Sequence, residues 1–253
     1  MDTQTINRIE KKYLITRKQK KELLRIIHRN MDKDSYHKST VMNLYFDNDT
    51  FDSISESIDW VGFKKKVRAR SYKGYDRVFL EIKTKIHASE RTEKYDPDEA
   101  SEENVGYKRR VMITHEDFNE LINKKSTLEE LAGRSLESNR DLQIAKEIDY
   151  LINYYDLKPK ILITYKRESY KYKDGLRITF DENLKYRIKN LSFSTGKHDK
   201  IYFKDDHNII MEIKAQSVMP LWLTEKMTKQ KIYPQQFSKI GKIYELIRKE
   251  QNV

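Results

Sequence analysis

Charged and apolar residues alternate along two neighbouring stretches of the chain, 66–72 and 78–85. Because the side chains of a strand point alternately to its two faces, this alternation predicts an antiparallel hairpin. One face collects the charged residues together with a tyrosine: Lys66, Arg68, Arg70, Tyr72, Glu81, Lys83 and Lys85. The other face carries Val67, Ala69, Val78, Leu80 and Ile82. Five of the seven residues on the first face are cations, so we expect this face to need an anionic partner.

The same alternation predicts six further strands. The resulting total of eight strands leaves two possible architectures. These strands are predicted at residues 6–15, 40–46, 107–113, 160–169, 176–181 and 208–215. Apolar residues at helical spacing predict helices after Thr16 and Thr114 and at about 140–155 and 234–248. Residues 86–107 are acidic and polar and are predicted to form a long loop. Eight antiparallel strands either close into a barrel with helices outside or form an open sheet with a cationic face in water.

The charge balance narrows the class of partner. Lys and Arg number 51 against 40 Asp and Glu, a net charge of +11, which predicts attraction to polyanions such as nucleotides, polyphosphate, nucleic acid or an anionic membrane. The absence of Cys excludes disulfides, thiolate metal sites and cysteine nucleophiles. The first residues lack the apolar run of a signal peptide, so we expect a cytoplasmic protein. No linker composition divides the chain, so we expect a single domain over residues 1–253.

Cations outnumber acids on the charged faces of the predicted strands. The twelve cations are Arg8, Lys12, Lys66, Arg68, Arg70, Lys83, Lys85, Lys108, Arg110, Arg167, Arg177 and Lys214. The four acids are Glu10, Glu81, Asp181 and Glu212. This excess of positive charge opposes the folding of the ligand-free protein and favours a bound anion.

Ten short motifs spread over nearly the whole chain are more specific. They are Arg8-x-Glu10-x-Lys12-Tyr13, Asn43-x-Tyr45-Phe46-Asp47, Lys66-x-Arg68-x-Arg70, Glu81-x-Lys83, Lys108-x-Arg110, Tyr165-x-Arg167, Arg177-x-Thr179-x-Asp181, Glu212-x-Lys214, Pro220-x-Trp222-Leu223 and Ser238-Lys239. In this order they resemble the VTC-type polyphosphate polymerase domain of the triphosphate tunnel metalloenzyme (CYTH-like) superfamily. The resemblance implies an α+β fold, in which an eight-stranded antiparallel β-barrel forms a tunnel with a basic lumen and helices packed outside. It also implies ATP, inorganic triphosphate or polyphosphate as substrates, bound with Mn²⁺ or Mg²⁺.

The resemblance also assigns roles to individual residues. It implies catalytic phosphate ligands at Lys12, Arg68, Arg70, Lys83, Arg167, Arg177, Lys214 and Lys239. Further substrate-binding cations are expected at Arg8, Lys66, Lys85, Lys108, Arg110 and Lys242. The metal ligands would be Glu212 and Glu10, although Glu10 and Glu81 can also be interpreted as structural counter-charges. Arginine grips two phosphate oxygens at once and lysine supplies a point charge, so these residue types suit the implied chemistry.

One departure bears on the activity. Many hydrolases of the superfamily carry an E-x-E-x-K first strand, and here Arg8 stands in place of the first Glu. This resembles the polymerase branch and predicts an ATP-polyphosphate phosphotransferase. The alternatives are a triphosphatase of the same fold and a non-catalytic polyanion-binding module. No nucleic-acid partner is expected, and a separately encoded membrane partner is left open.

Overall fold

A computed structural model describes residues 9–56, 63–86, 105–134, 139–193, 199–203, 209–216 and 218–251. The strands are β1 Ile9–Ile15, β2 Asp32–Asp47, β3 Phe63–Tyr72, β4 Val78–Ile86, β5 Val105–Ile113, β6 Lys158–Lys171, β7 Arg177–Arg187, β8 Lys200–Ile201 and β9 Ile209–Ala215. The helices are α1 Arg17–Asn30, α2 Asp52–Ser55, α3 His115–Ile122, α4 Leu128–Gly133, α5 Asn139–Tyr154, α6 Leu221–Lys229 and α7 Lys239–Gln251. Arg8 and residues 87–104 of the predicted acidic loop lie outside the described residues.

All eight predicted strands are present. The structure differs from the prediction in the length of some strands, in one additional strand and in some of the helices. β2 begins eight residues before the predicted 40, and β8 is an additional short strand. The helices predicted after Thr16 and Thr114 begin there, because each threonine side chain accepts a hydrogen bond from the backbone of the third residue beyond it. The last helix begins at Lys239 rather than 234. Helices α4 and α6 were not predicted.

The chain groups into two compact units. The first unit contains described residues within 1–41, 164–186 and 199–239. Its sheet has the strand order β1-β9-β7-β6-β2, with β8 beside β7. The apolar face of this sheet packs on α1 and α6, in a core that includes Tyr13, Leu23, Ile27, Phe180 and Met211. The polar residues of β1, β7 and β9 therefore lie on the opposite face.

The second unit contains described residues within 42–163, 187–198 and 240–253. Its sheet has the order β6-β2-β3-β4-β5. In the hairpin, Arg68 lies opposite Glu81 and Val67 lies opposite Ile82. The predicted apolar face is buried against helices α3, α4 and α5 in a core that contains Val67, Ala69, Val78, Leu80 and Ile82. The predicted division of the hairpin into two faces is confirmed.

The predicted closed barrel is wrong for the strands that the structure describes. There, β1 pairs only with β9 and β5 pairs only with β4, so each is an edge strand. A barrel requires its first and last strands to be hydrogen-bonded to each other. The alternation of charged and apolar residues defines two faces per strand whether or not the sheet closes, so the pattern could not decide closure. The antiparallel sheet with helices against its apolar face is confirmed. The expected basic lumen is therefore not formed by the strands that the structure describes.

None of the described helices has the combination of length and apolar composition that crossing a membrane requires.

Candidate functional site

Two rows of polar residues cross β1, β9 and β7 in the first unit. In one row Lys12 pairs with Glu212, which pairs with Thr179 on its other side. In the next row Glu10, Lys214 and Arg177 are opposite one another. Directly opposed residues share a sheet face, so these six side chains form one group. We call this group, together with Arg167, Asp181 and Lys239, the Glu212 cluster.

Lys214 joins the two carboxylates that were predicted to hold a metal. Its Nζ lies 2.9 Å from Glu212 Oε1 and 3.3 Å from Glu10 Oε2. Lys12 lies beside them, with Nζ 3.9 Å from Glu10 Oε1, and donates a hydrogen bond of 3.0 Å to the Phe237 carbonyl. Burial alone would raise the pKa of Glu212, but Lys214, Lys12 and Lys239 hold it well below its usual range. Glu212 is therefore a buried and ionised carboxylate.

Asp181 is a second buried acid in the Glu212 cluster and neutralises two cations. Arg167 donates to it through Nε at 2.6 Å and Nη2 at 2.8 Å, and Lys239 Nζ lies 2.6 Å away. Burial opposes the charge on Asp181, yet Lys239 and Arg167 lower its pKa. Burial opposes the charge of Lys239, but Asp181 and Tyr165 together raise its pKa. Both cations also approach the ring of Tyr165, at 5.3 Å for Arg167 and 4.9 Å for Lys239.

Arg177 is the most solvated cation of the Glu212 cluster. Its side chain is 42% exposed, and Nη2 lies 2.8 Å from Asp34 Oδ2. Because the guanidinium is partly solvated, Arg177 is the cation of this cluster that we expect to exchange its partner for another anion most readily.

The second unit holds a cluster around Glu81, which is 1% exposed. Arg68 Nε donates to Glu81 Oε2 at 2.7 Å, Arg70 Nε lies 4.0 Å away, and Lys108 pairs with the other oxygen. Burial raises the pKa of Glu81, but these three cations lower it to about 2. Arg70 also donates to Asn43 Oδ1 at 2.8 Å. We call Glu81 and its three cations the Glu81 cluster, and its acid is a structural counter-charge.

The Glu81 cluster has more positive charge than its single acid neutralises. The pKa of Lys108 is lowered, because burial and the nearby guanidinium groups of Arg70 and Arg68 oppose its charge more than Glu81 supports it. Lys66, Lys83 and Lys108 are also directly opposite one another across β3, β4 and β5. Like charges in this arrangement repel. An anion bound here would remove that repulsion.

The structure brings most predicted site residues into these two clusters. Lys12, Arg167, Arg177, Lys214, Lys239, Glu212 and Glu10 lie in the Glu212 cluster, and Arg68, Arg70 and Lys108 lie in the Glu81 cluster. Lys66 and Lys83 lie in the row that ends at Lys108, and Lys85 is on β4. Arg110 stacks on Phe79, with Cζ 5.0 Å from the ring centre. Lys242 pairs with Glu245 at 2.9 Å. The ligand roles of these residues stay predictions.

Three partners were missed as parts of the site. The sequence pattern identifies Asn43 as a motif residue and Asp181 as a motif residue and an acid on a strand face, without a site role for either, and does not identify Asp34. The alternation places Asp181 on the cationic face, and this signal pointed to a counter-charge. Asp34 lies in the first half of β2, where mostly polar and exposed residues hide the strand pattern.

Glu212 and Glu10 supply too few ligands to hold a divalent metal by themselves, so a metal here would also need oxygen atoms of the substrate. Glu10 and Glu212 offer hard carboxylate oxygens, but within the described ranges no three His, Asp or Glu residues are grouped to hold a metal. Mg²⁺ and similar ions are commonly bound by one or two carboxylates plus substrate phosphates. The residues present fit that mode of binding.

Comparison with known proteins gives one family. Residues 7–247 match the family described as VTC domain, which is nearly the whole chain. No curated protein matches the sequence. Among solved structures, HpAC1 from Hippeastrum, described as having a dominant triphosphatase activity, is 17% identical, with 92% of each chain covered and a TM-score of 0.52. A candidate adenylate cyclase from Bacillus halodurans is 12% identical, with 91% of this chain and 92% of that one covered and a TM-score of 0.48. At 17% identity, the likeness to HpAC1 shows a shared fold.

Proposed function

The chain belongs to the VTC domain family, and on that premise we propose that it is a metal-dependent polyphosphate polymerase. It would transfer the γ-phosphoryl group of ATP to the end of a growing polyphosphate chain. The observation that carries this proposal is the Glu212 cluster, in which a buried ionised carboxylate and several cations share one sheet face. Phosphoryl transfer depends mainly on positioning and charge neutralisation, and such a face supplies both.

The cations bind and orient the phosphates. Lys12 and Lys214 supply point charges next to Glu212, and Arg177 presents a solvated guanidinium on the same face. The guanidinium of Arg167 has five N–H donors. Its Nε and Nη2 atoms donate to Asp181, so N–H groups remain that can donate to a phosphate oxygen. The Glu81 cluster and the lysine row beside it supply a second phosphate-binding group.

Glu212 and Glu10 would hold a divalent metal jointly with phosphate oxygens. A bound Mn²⁺ or Mg²⁺ would neutralise negative charge on the phosphoryl group that is transferred. Lys214 contacts both carboxylates and keeps their mutual repulsion small when no metal is bound.

The nucleophile would be a terminal oxygen of the polyphosphate chain. This oxygen forms a bond to the γ-phosphorus as the bond from that phosphorus to the bridging oxygen breaks, and ADP leaves with the electron pair. A phosphate oxygen is already ionised at neutral pH, so no base must remove a proton. The lowered pKa values of Glu81 and Asp181 make both poor bases, which favours a phosphate oxygen over water as the nucleophile.

Hydrolysis of inorganic triphosphate or nucleoside triphosphates is the second candidate. It is favoured by the fold shared with HpAC1, which is described as having a dominant triphosphatase activity. The same cations and carboxylates would bind the substrate, and water would take the place of the polyphosphate oxygen.

One experiment separates the candidates. The purified protein is incubated with ATP and Mn²⁺, and the products are resolved by gel electrophoresis. Long phosphate chains with release of ADP are expected for the polymerase. Short phosphates alone would favour hydrolysis, and unchanged ATP would leave a non-catalytic polyanion-binding module.

A further inference from the structure

Thr179 is a buried residue of the Glu212 cluster, and its hydroxyl group has no partner in the part of the chain that the structure describes. It lies on β7 between Arg177 and Asp181, directly opposite Glu212. Its neighbours in sequence, Ile178 and Phe180, are buried in the core on the other sheet face, so Thr179 faces the cations. The residue is 4% exposed, and among the described residues its Oγ1 makes no hydrogen bond.

A buried hydroxyl without a hydrogen bond is rare and calls for a physical reason. The ammonium and guanidinium groups around Thr179 are donors only, so they cannot accept its proton. Glu212 lies opposite Thr179 in the ladder and pairs through Oε1 with Lys214, and Thr179 makes no hydrogen bond to it within the described part of the chain. An oxygen atom of a bound anion is an acceptor that suits a cationic environment and would satisfy this hydroxyl.

We propose that Thr179 is a substrate-binding residue whose hydroxyl donates a hydrogen bond to a phosphoryl oxygen held by the Glu212 cluster. This inference rests on the proposed function and adds a neutral donor to a site otherwise described by its charges. The cations attract any polyanion over a distance, whereas a short side chain fixed on a strand contacts an oxygen at one place only. Thr179 thereby sets the position of the phosphate group relative to Glu212.

The test compares Thr179→Val with Thr179→Ser, and uses inorganic triphosphate as the ligand. Valine keeps the shape and removes the hydroxyl, and serine keeps the hydroxyl. Affinity is measured by titration calorimetry, once with EDTA and once with Mn²⁺. A hydrogen bond to a charged group predicts that the valine variant binds about tenfold or more weakly in both conditions, and that serine restores binding. The matched control is Thr84→Val, a buried strand threonine in the second unit, which should bind as the wild type does.

Unfolding measurements keep the result interpretable. Because the orphan hydroxyl is replaced by a methyl group, Thr179→Val without ligand should be at least as stable as the wild type. Unchanged triphosphate affinity in Thr179→Val would overturn the inference. A defect that appears with Mn²⁺ but not with EDTA would also overturn it, because the hydroxyl would then act through the metal. Failure of the wild type itself to bind triphosphate would instead refute the proposed function, and this inference with it.

Discussion

Lys239 Nζ lies 2.6 Å from Asp181 Oδ2, and the Asp181 side chain is 1% exposed. The same carboxylate accepts two hydrogen bonds from Arg167. Both cations were predicted to bind phosphate, and in the ligand-free protein Asp181 takes the place of that phosphate as their counter-charge. The relationship explains how two cations remain buried and charged when no substrate is bound.

Replacing Asp181 by Asn should destabilise the ligand-free protein strongly. The change removes the carboxylate charge that Arg167 and Lys239 contact directly, and breaking a buried pair in this way costs about 3–5 kcal/mol. Triphosphate should recover more stability in this variant than in the wild type, since the phosphate replaces the lost charge. Urea unfolding with and without triphosphate measures both effects. Asp76→Asn, in an exposed pair with Arg77, is the control and should change little. Wild-type stability of Asp181→Asn without ligand would contradict this account.

Replacing Glu212 by Gln should abolish metal-dependent turnover and leave much of the phosphate binding. The cations of the cluster remain, but the hard-metal site loses its buried charge. Turnover of ATP is measured over a range of Mn²⁺ concentrations, and triphosphate affinity is measured in EDTA. Glu225→Gln, an exposed change on α6, serves as the control. Unaltered turnover at limiting Mn²⁺ would reject Glu212 as a ligand.

The Glu81 cluster should make stability depend on pH in acid. The pKa of Glu81 is lowered from an ordinary 4.5 to about 2, so the carboxylate stabilises the fold fully above about pH 4.5. That contribution is lost as the pH falls towards 2, because the folded protein then gains the proton. Glu81→Gln should be less stable by about 3 kcal/mol at neutral pH, and the difference from the wild type should shrink in acid.

Chemical unfolding of both proteins between about pH 3 and pH 7 measures this difference. Glu245→Gln removes an acid that is paired on the surface with Lys242, and should give no comparable pH-dependent difference. A constant gap between the wild type and Glu81→Gln over the whole range would show that the charge of Glu81 is not the cause.

Triphosphate should raise the melting temperature more than single-stranded DNA does. A ligand that binds only the folded protein stabilises it by roughly 2.7 kcal/mol at 100 times its dissociation constant. Compact phosphates match the closely spaced cations of each cluster, whereas DNA held by exposed charges is weakened by salt. The comparison is a thermal shift at about 0.15 M salt. Stabilisation by DNA without stabilisation by triphosphate would refute the phosphate-binding assignment.

The elements that could be predicted are those whose signal is local. The β3–β4 hairpin follows from alternation, and α1 and α3 follow from the capping residues Thr16 and Thr114. Helix α4 carries the same type of signal, because Thr127 and Glu130 form a capping box, so it could have been found. Helix α6 begins at an apolar segment after Pro220 with no side-chain cap, which gave no comparable signal.

The sequence predicted which residues of the candidate site share a sheet face, but not which of their side chains are in contact. Alternation placed Glu212, Lys214 and Asp181 on the cationic face, where the structure has them. The convergence of Lys239 on Asp181 could not be predicted, because it joins the start of a helix to a distant strand. Closure of the barrel depends on hydrogen bonds between edge strands, which the pattern does not encode.

The row formed by Lys66, Lys83 and Lys108 has a practical consequence for handling the protein. We expect three like charges on adjacent strands to attract small oxyanions from the medium, because a bound anion would lower their mutual repulsion. Phosphate or sulfate buffers used in purification would thus be carried into later assays as competitors. The measured stability and the measured substrate affinity would then depend on the buffer anion as well as on the protein. Dialysis into a buffer free of multivalent anions defines the baseline against which every ligand should be compared.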